Sequence, residues 1–177
     1  NAVQVKVQPD TALWDAGDIR YNVLRWTSSP NPPFGGYGPS FVNPRTGQIL
    51  GADIMLEWIY ITKRIQQGEL FEHTSLFLDE ENPMDEHYCS ASALMQSNNL
   101  FAHSAVDAME LSQASKETLI RESLRRLVLH EVGHTLGLNH NFKGSNLLTY
   151  EEILNKDTTY EKGLCSSVME YPSINFS

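Results

Sequence analysis

The sequence predicts an α+β fold, with strands in its first third and helices in its second half. Short stretches before residue 57 alternate apolar and polar side chains, which is the period of a strand that buries one face. Between about Lys116 and Leu136 the apolar residues instead recur at steps of three and four, which is the period of an amphipathic helix. The two periods in one chain of this length indicate a sheet backed by helices.

The N-terminal part contains four predicted strands. They cover residues 1–8, 19–26, 40–42 and 48–56. The last two would form a hairpin, because residues 43–47 have the Asn, Pro and Gly composition of a tight turn. A loop rich in Ser, Pro and Gly separates the second strand from the third. Residues 58–67 fit a helix or an extended segment equally well.

Two longer helices are predicted over residues 92–110 and 116–136. The expected core residues of the first are Leu94, Met95, Phe101, Val106 and Met109. Those of the second are Leu119, Leu124, Leu127, Val128 and Val132. Gly137 should end the second helix, since a residue without Cβ enters the left-handed conformation at low cost. Residues 141–166 are typical of a polar loop, with a short helix near residues 150–154.

Length and charge limit the classes of protein to consider. The chain has 177 residues, which favours one domain with a real core. Its net charge of −9 argues against nucleic acid or an anionic membrane as a partner. The sequence has no apolar run of about 18 residues, so we expect no membrane span. We expect a monomeric catalytic domain that has been cut from a longer protein with additional domains.

The most informative stretch is His-Glu-Val-Gly-His-Thr-Leu-Gly-Leu-Asn-His at residues 130–140. His130 and His134 are four residues apart, so a helix places both imidazoles on one face. Gly137 then allows the turn that returns His140 to the same ion. Three protein ligands leave one position of a tetrahedral Zn²⁺ for water, which distinguishes a catalytic zinc from a structural one. Glu131 stands beside the ion, where a general base is needed.

A helix can carry such a His-Glu-x-x-His pattern by chance. Two further matches make coincidence improbable. Gly137 and His140 stand at the offsets of the longer zinc-binding motif. Downstream, residues 167–171 read Ser-Val-Met-Glu-Tyr, which is typical of the turn with a methionine that underlies the zinc in one clan of peptidases.

On these residues the chain resembles the metzincin clan of zinc endopeptidases. Within the clan it is most similar to the catalytic module of large bacterial multidomain zinc-dependent metalloproteases. The similar stretches are residues 18–23, 43–49, 130–142 and 167–172. The resemblance implies a zincin fold, in which a twisted mixed sheet of mostly parallel strands with one antiparallel edge strand lies above a smaller lobe. Residues 1–137 would form the upper subdomain, and residues 138–177 the lower one.

The resemblance also implies roles for single residues. Met169 would pack beneath the imidazoles without binding the ion. Tyr171 would reach the zinc in the resting enzyme and swing out to stabilise the oxyanion of the tetrahedral intermediate. Alternatively it would only pack against its neighbours, and both roles stay open. Residues 48–54 would form the edge strand to which a substrate adds, and residues 141–166 would form the outer wall of the specificity pocket.

The leading functional hypothesis is a secreted, periplasmic or cell-surface zinc endopeptidase that cleaves polypeptides. Glu131 would activate a zinc-bound water. The alternatives are an inactive metzincin-like binding module and a zinc-dependent amide hydrolase of another class. The intact Glu131 favours an enzyme, because inactive relatives typically lose the base or a ligand.

Further sites are less well supported. The acidic residues Asp79, Glu80, Glu81, Asp85 and Glu86 could bind Ca²⁺, but a solvated loop is the commoner reason for such a cluster. His73, His87 and His103 are isolated and more typical of surface histidines. Cys89 and Cys165 could form a disulfide, although free thiols are slightly favoured.

Overall fold

The computed structural model describes residues 3–29, 35–58, 91–110 and 113–172. Its strands are β1 (Val23–Thr27), β2 (Gly36–Tyr37), β3 (Ser40–Val42) and β4 (Ile49–Glu57). Its α-helices are α1 (Ala91–Ala108), α2 (Gln113–Thr135), α3 (Tyr150–Ile153) and α4 (Lys156–Lys162), and a 3₁₀ helix covers Phe142–Asn146. The predicted α+β class is therefore confirmed. The acidic cluster at residues 79–86, His73, His87, Cys89 and residues 59–67 lie outside the described residues.

The sheet is mixed and has β4 at its centre. β1 pairs with one side of β4 in parallel, and β2 and β3 pair with the other side in antiparallel orientation. The predicted hairpin of β3 and β4 is confirmed, and Gly47 closes its turn with a φ of 72°. The expected antiparallel edge is present, but its identity was wrong. β1 pairs with Asp53–Glu57 on one side of β4, and β2 with β3 pairs on the other side, so residues 48–54 belong to the central strand. β2 with β3 forms the antiparallel edge of the described sheet. Among the described strands, only the β1–β4 pairing is parallel.

The N-terminal strand prediction was wrong for the residues that the structure describes. Residues 3–8 belong to no strand or helix of the described structure, and Val7 is 94% exposed. Alternation of apolar and polar side chains indicates a preference for extended backbone. A strand also needs a neighbouring strand with which to form hydrogen bonds. The second strand begins at Val23, later than predicted, because residues 18–21 form a turn in which the Tyr21 amide donates to Asp18 O at 3.0 Å.

The core lies between the sheet and α2. Ile54 and Leu56 of β4 are buried against Leu127 of α2. Leu124, Val128 and Val132 pack around this cluster, so the predicted buried side of α2 is confirmed. This packing fixes the axis of α2 beneath the sheet and therefore positions the histidines at its C-terminal end.

Helix α1 packs against α2, but its buried stripe is narrower than predicted. Val106 is buried as expected, and so is Ala102 one turn earlier. Leu94 and Phe101 are exposed, because a helix that packs on one side buries only one stripe and these residues lie roughly 100° away from it. Met109 is exposed beyond the end of the helix. These three expected core residues were therefore predicted wrongly.

The segment after α2 is more ordered than the predicted polar loop. The short helix near residues 150–154 is confirmed as α3, which begins with a capping box formed by Thr149 and Glu152. The 3₁₀ helix and α4 were not predicted. Lys162 of α4 contacts Glu152 at 3.1 Å and joins the two short helices. None of the helices in the described ranges combines the length and the hydropathy that a bilayer span requires.

A buried carboxylate stands at the end of β4. Glu57 is fully buried and accepts hydrogen bonds from Thr27 Oγ1 at 2.7 Å, Ser29 Oγ at 2.8 Å and the Ser29 amide at 3.1 Å. Burial alone would raise the pKa of Glu57, but these three donors together lower the pKa below its ordinary value. The charged form is thus the one that the fold stabilises.

This cluster makes the free energy of unfolding depend on pH in the acidic range. Because the folded-state pKa of Glu57 is lowered, its contribution is present above the unfolded-state pKa of about 4.3 and is lost as the pH falls through the folded-state value. We expect Glu57→Gln to reduce the free energy of unfolding at pH 7 by about 1–3 kcal/mol, and to weaken its fall below pH 4. Urea unfolding at pH 7 and pH 3 measures both effects. The exposed Glu151→Gln is the control, and an unchanged acid dependence in Glu57→Gln would contradict the assignment.

Candidate metal centre

The C-terminal end of α2 positions the first two histidines. His130 and His134 lie one turn apart, and the helix ends just beyond them at Thr135. The Leu138 amide donates to Gly133 O at 3.0 Å and the Gly137 amide to His134 O at 2.9 Å, which is the hydrogen-bond pattern of a Schellman cap. Gly137 has a φ of 85°, as this cap requires. The predicted helix end and the reason for it are confirmed.

Two backbone carbonyls orient the imidazoles on α2. His130 Nδ1 lies 2.8 Å from Val168 O, and His134 Nδ1 lies 3.2 Å from Leu138 O. A carbonyl can only accept, so each Nδ1 carries the proton and each Nε2 keeps a free lone pair. Such outer hydrogen bonds commonly fix metal-binding histidines in one tautomer.

His140 completes a group of three imidazoles. Their potential ligand atoms all lie within 4.8 Å of one another, and His130 Nε2 is 3.2 Å from His140 Nε2. Two ligands of a tetrahedral zinc at about 2.0–2.1 Å are themselves about 3.3 Å apart. The buried His134 Nε2 has no hydrogen-bond partner among the described residues. The donor chemistry, the spacing and this unused lone pair all fit a zinc ion.

Burial favours the neutral form of all three imidazoles. Burial lowers the pKa of His130 to about 4 and also lowers the pKa values of His134 and His140. Only a neutral imidazole offers a lone pair to a metal. The group therefore remains neutral and competent to bind a cation at neutral pH.

Glu131 is fully buried beside this group. Its carboxylate faces the edge of the sheet, where a Cβ at Gly36 would lie 3.0 Å from Oε1 and a Cβ at Gly38 3.1 Å from Oε2. Burial raises the pKa of Glu131 to about 7, and the nearby Gly38 amide opposes this shift. Neither oxygen has a hydrogen bond of ordinary geometry in the described structure. The carboxylate is thus held ready to exchange a proton near neutral pH.

Met169 lies directly against the helix that carries the histidines. A Cβ added at Gly133 would lie 2.3 Å from Met169 Sδ, so only glycine permits this approach between His130 and His134. Met169 itself is almost fully buried. The methionine turn also supplies the Val168 carbonyl that orients His130. The turn therefore packs against the helix that carries the histidines and orients one of them, but it contributes no metal ligand of its own.

Tyr171 reaches the third histidine. Its hydroxyl oxygen lies 2.7 Å from His140 Nε2 and 3.0 Å from His140 Nδ1. The phenol ring is also in edge contact with Phe142, at a centroid distance of 5.6 Å. The hydroxyl thus lies beside a candidate ligand atom, where it could donate a hydrogen bond to a bound oxygen.

Two residues at the site were not predicted from the sequence. Arg126 donates a hydrogen bond to Glu170 O at 3.0 Å, and this bond connects the methionine turn to α2. It precedes His130 by four residues, and this spacing could have placed it on the same face of the helix. Glu170 follows Met169 within the methionine turn and is buried, but the sequence offered no signal of its burial. Cys165 forms no disulfide with any described residue.

The mixed fold and the three histidines are consistent with a metzincin-type zincin module. Residues 112–177 match a protein family described as Met-zincin, and this range contains all three histidines and the methionine turn. The resemblance to the metzincin clan is thereby confirmed for this part of the chain. No curated protein and no solved structure matches the chain. The narrower likeness to large bacterial multidomain metalloproteases and the division at residue 137 stay predictions.

Proposed function

We propose that the protein is a zinc-dependent endopeptidase that hydrolyses peptide bonds in polypeptides. The observation that carries this proposal is the convergence of three imidazoles beside a buried carboxylate that has no hydrogen bond of ordinary geometry among the described residues. His130, His134 and His140 would hold the ion. Bound zinc would supply a Lewis acid for the scissile carbonyl and acidify a water molecule.

The chain's own residues would move the protons. Glu131 would accept a proton from the attacking water and deliver it to the leaving amine, so that one water molecule is consumed for each bond broken. In the metal-free protein its pKa of about 7 places proton exchange near neutral pH. Tyr171 would donate a hydrogen bond to the oxygen of the tetrahedral intermediate.

The outer edge of β2 and β3 would bind the substrate. This edge pairs with no further strand in the described part of the chain, and Gly38 brings it against the backbone and carboxylate of Glu131. An extended peptide can add to such an edge through main-chain hydrogen bonds. A secreted, periplasmic or cell-surface location would accord with this activity.

Tyr171→Phe tests the proposed oxyanion role. Removing the hydroxyl should lower kcat by about 10²–10³-fold, because the hydrogen bond forms to the developing negative charge. KM should change little, and the zinc content should remain that of the parent. Steady-state kinetics on a peptide substrate, with metal analysis of the same sample, measure these quantities. An unchanged kcat would leave Tyr171 with a packing role only.

The activity itself can be tested with denatured casein and the full protein. We expect cleavage that stops when a chelator removes the metal and returns when zinc is added back. Metal analysis should find one zinc per chain. Absence of cleavage by zinc-loaded protein would favour an inactive binding module. Cleavage that the chelator leaves unchanged would show that the group of histidines is not the catalytic centre.

A further inference from the structure

Glu170 has a side chain that the proposed mechanism does not use. It is 1% exposed, and its Oε2 accepts a hydrogen bond from Ser145 Oγ at 2.8 Å. Its Oε1 has no hydrogen-bond partner among the residues that the structure describes. A buried carboxylate with an unused oxygen is costly unless something nearby compensates its charge.

The bond to Ser145 joins two segments that are distant in sequence. Ser145 lies in the 3₁₀ helix, which begins two residues after His140, whereas Glu170 belongs to the methionine turn. The junction is tight, because a Cβ at Gly144 would lie 2.8 Å from Glu170 Oε1. The Ser166 amide also donates to Gly144 O at 3.0 Å. Glu170 therefore holds the loop that follows the third histidine onto the turn beneath the site.

The buried charge of Glu170 also lies close to the histidines. Its two neighbours in the chain both belong to the site: Met169 packs against Gly133, and the Tyr171 hydroxyl lies 2.7 Å from His140 Nε2. A divalent cation held by the three histidines would be stabilised by this negative charge, since opposite charges attract more strongly where water is excluded.

From this arrangement we infer that Glu170 is a positioning residue for the metal centre. It ties the loop of His140 to the methionine turn through Ser145, and its negative charge favours a divalent cation at the three histidines. The inference depends on the zinc site of the proposed function. It adds a residue that touches neither metal nor substrate and acts through His140.

The test measures metal affinity, which does not depend on peptidase activity. Glu170→Gln keeps the shape and an acceptor for Ser145 but removes the charge, and Glu151→Gln removes an exposed charge from the same lobe. Competition with a chromogenic chelator should show that Glu170→Gln binds zinc about 10–100-fold more weakly than the parent, and Glu151→Gln within about twofold of it. The metal-free Glu170→Gln protein should melt no lower than the metal-free parent, because a poorly compensated buried charge has been removed.

Ser145→Ala separates the effect of the Ser145–Glu170 hydrogen bond from the effect of the charge. It keeps the carboxylate and removes the hydrogen bond. We expect a smaller loss of zinc affinity than in Glu170→Gln, together with a changed absorption spectrum of bound Co²⁺. Zinc affinity of Glu170→Gln within about twofold of the parent would overturn the inference. Equal destabilisation of metal-free and zinc-loaded Glu170→Gln would also overturn it, since that is the result of a packing role alone. A parent protein that binds no zinc would overturn the proposed function and this inference together.

Discussion

Glu131→Gln is expected to abolish nearly all peptidase activity while leaving zinc bound. The amide cannot accept the proton of the attacking water, and general-base catalysis is typically worth about 10²–10⁴-fold. The zinc content should not fall, because the three imidazoles and their carbonyl partners Val168 and Leu138 are untouched. The expected kinetic signature is a loss in kcat with little change in KM.

The stability of this variant provides a second, independent readout. The Glu131 carboxylate is fully buried and has no hydrogen bond of ordinary geometry in the described structure, so replacing it by a neutral amide should not lower the melting temperature. If the carboxylate instead stabilised the fold, its replacement would lower the melting temperature. Glu117→Gln, an exposed acid on the same helix, is the matched control and should keep full activity. Parent-like cleavage by zinc-loaded Glu131→Gln would refute the role of Glu131.

Gly133→Ala is expected to destabilise the protein although it improves helix propensity. An alanine in a helix interior is ordinarily favoured over glycine by about 1 kcal/mol. Here the new Cβ would lie 2.3 Å from Met169 Sδ, and Met169 is almost fully buried, so its thioether has little room to move away. Overpacking of this kind costs about 1–3 kcal/mol, and we expect it to exceed the gain in propensity.

The contact between Gly133 and Met169 can be isolated by a double-mutant cycle. Met169→Ala alone leaves a cavity and should cost about 2–5 kcal/mol. If the two residues clash as the structure indicates, the double variant should be more stable than the sum of the single effects predicts, by at least about 0.5 kcal/mol. Urea unfolding of the four proteins gives the coupling energy. Additive effects, or a Gly133→Ala protein more stable than its parent, would show that Met169 does not clash with a side chain at position 133.

Long-range pairing was the part of the fold that the sequence predicted least well. The period of residues 48–56 indicated a strand, yet it could not reveal that β1 and β3 pair with opposite sides of β4. Residues 3–8 alternate as a strand does but have no partner in the described structure. A strand forms only where another segment supplies its hydrogen bonds, and that choice depends on residues far away in the chain.

The sequence by itself determined the group of histidines. Four-residue spacing places His130 and His134 on one face of any helix, and Gly137 permits the local turn towards His140. Helix geometry and a helix cap are made of hydrogen bonds between residues at most five apart, so the local sequence suffices to specify them.

Only the tertiary structure decided what surrounds that group. The approach of Met169 to Gly133, of Gly38 to Glu131 and of Ser145 to Glu170 joins segments between 25 and 93 residues apart. Such contacts depend on how whole elements pack, and the same sequence pattern is compatible with many packings. The ligands were therefore evident in the chain, whereas the burial that sets their pKa values, and the pKa of Glu131, came from the fold.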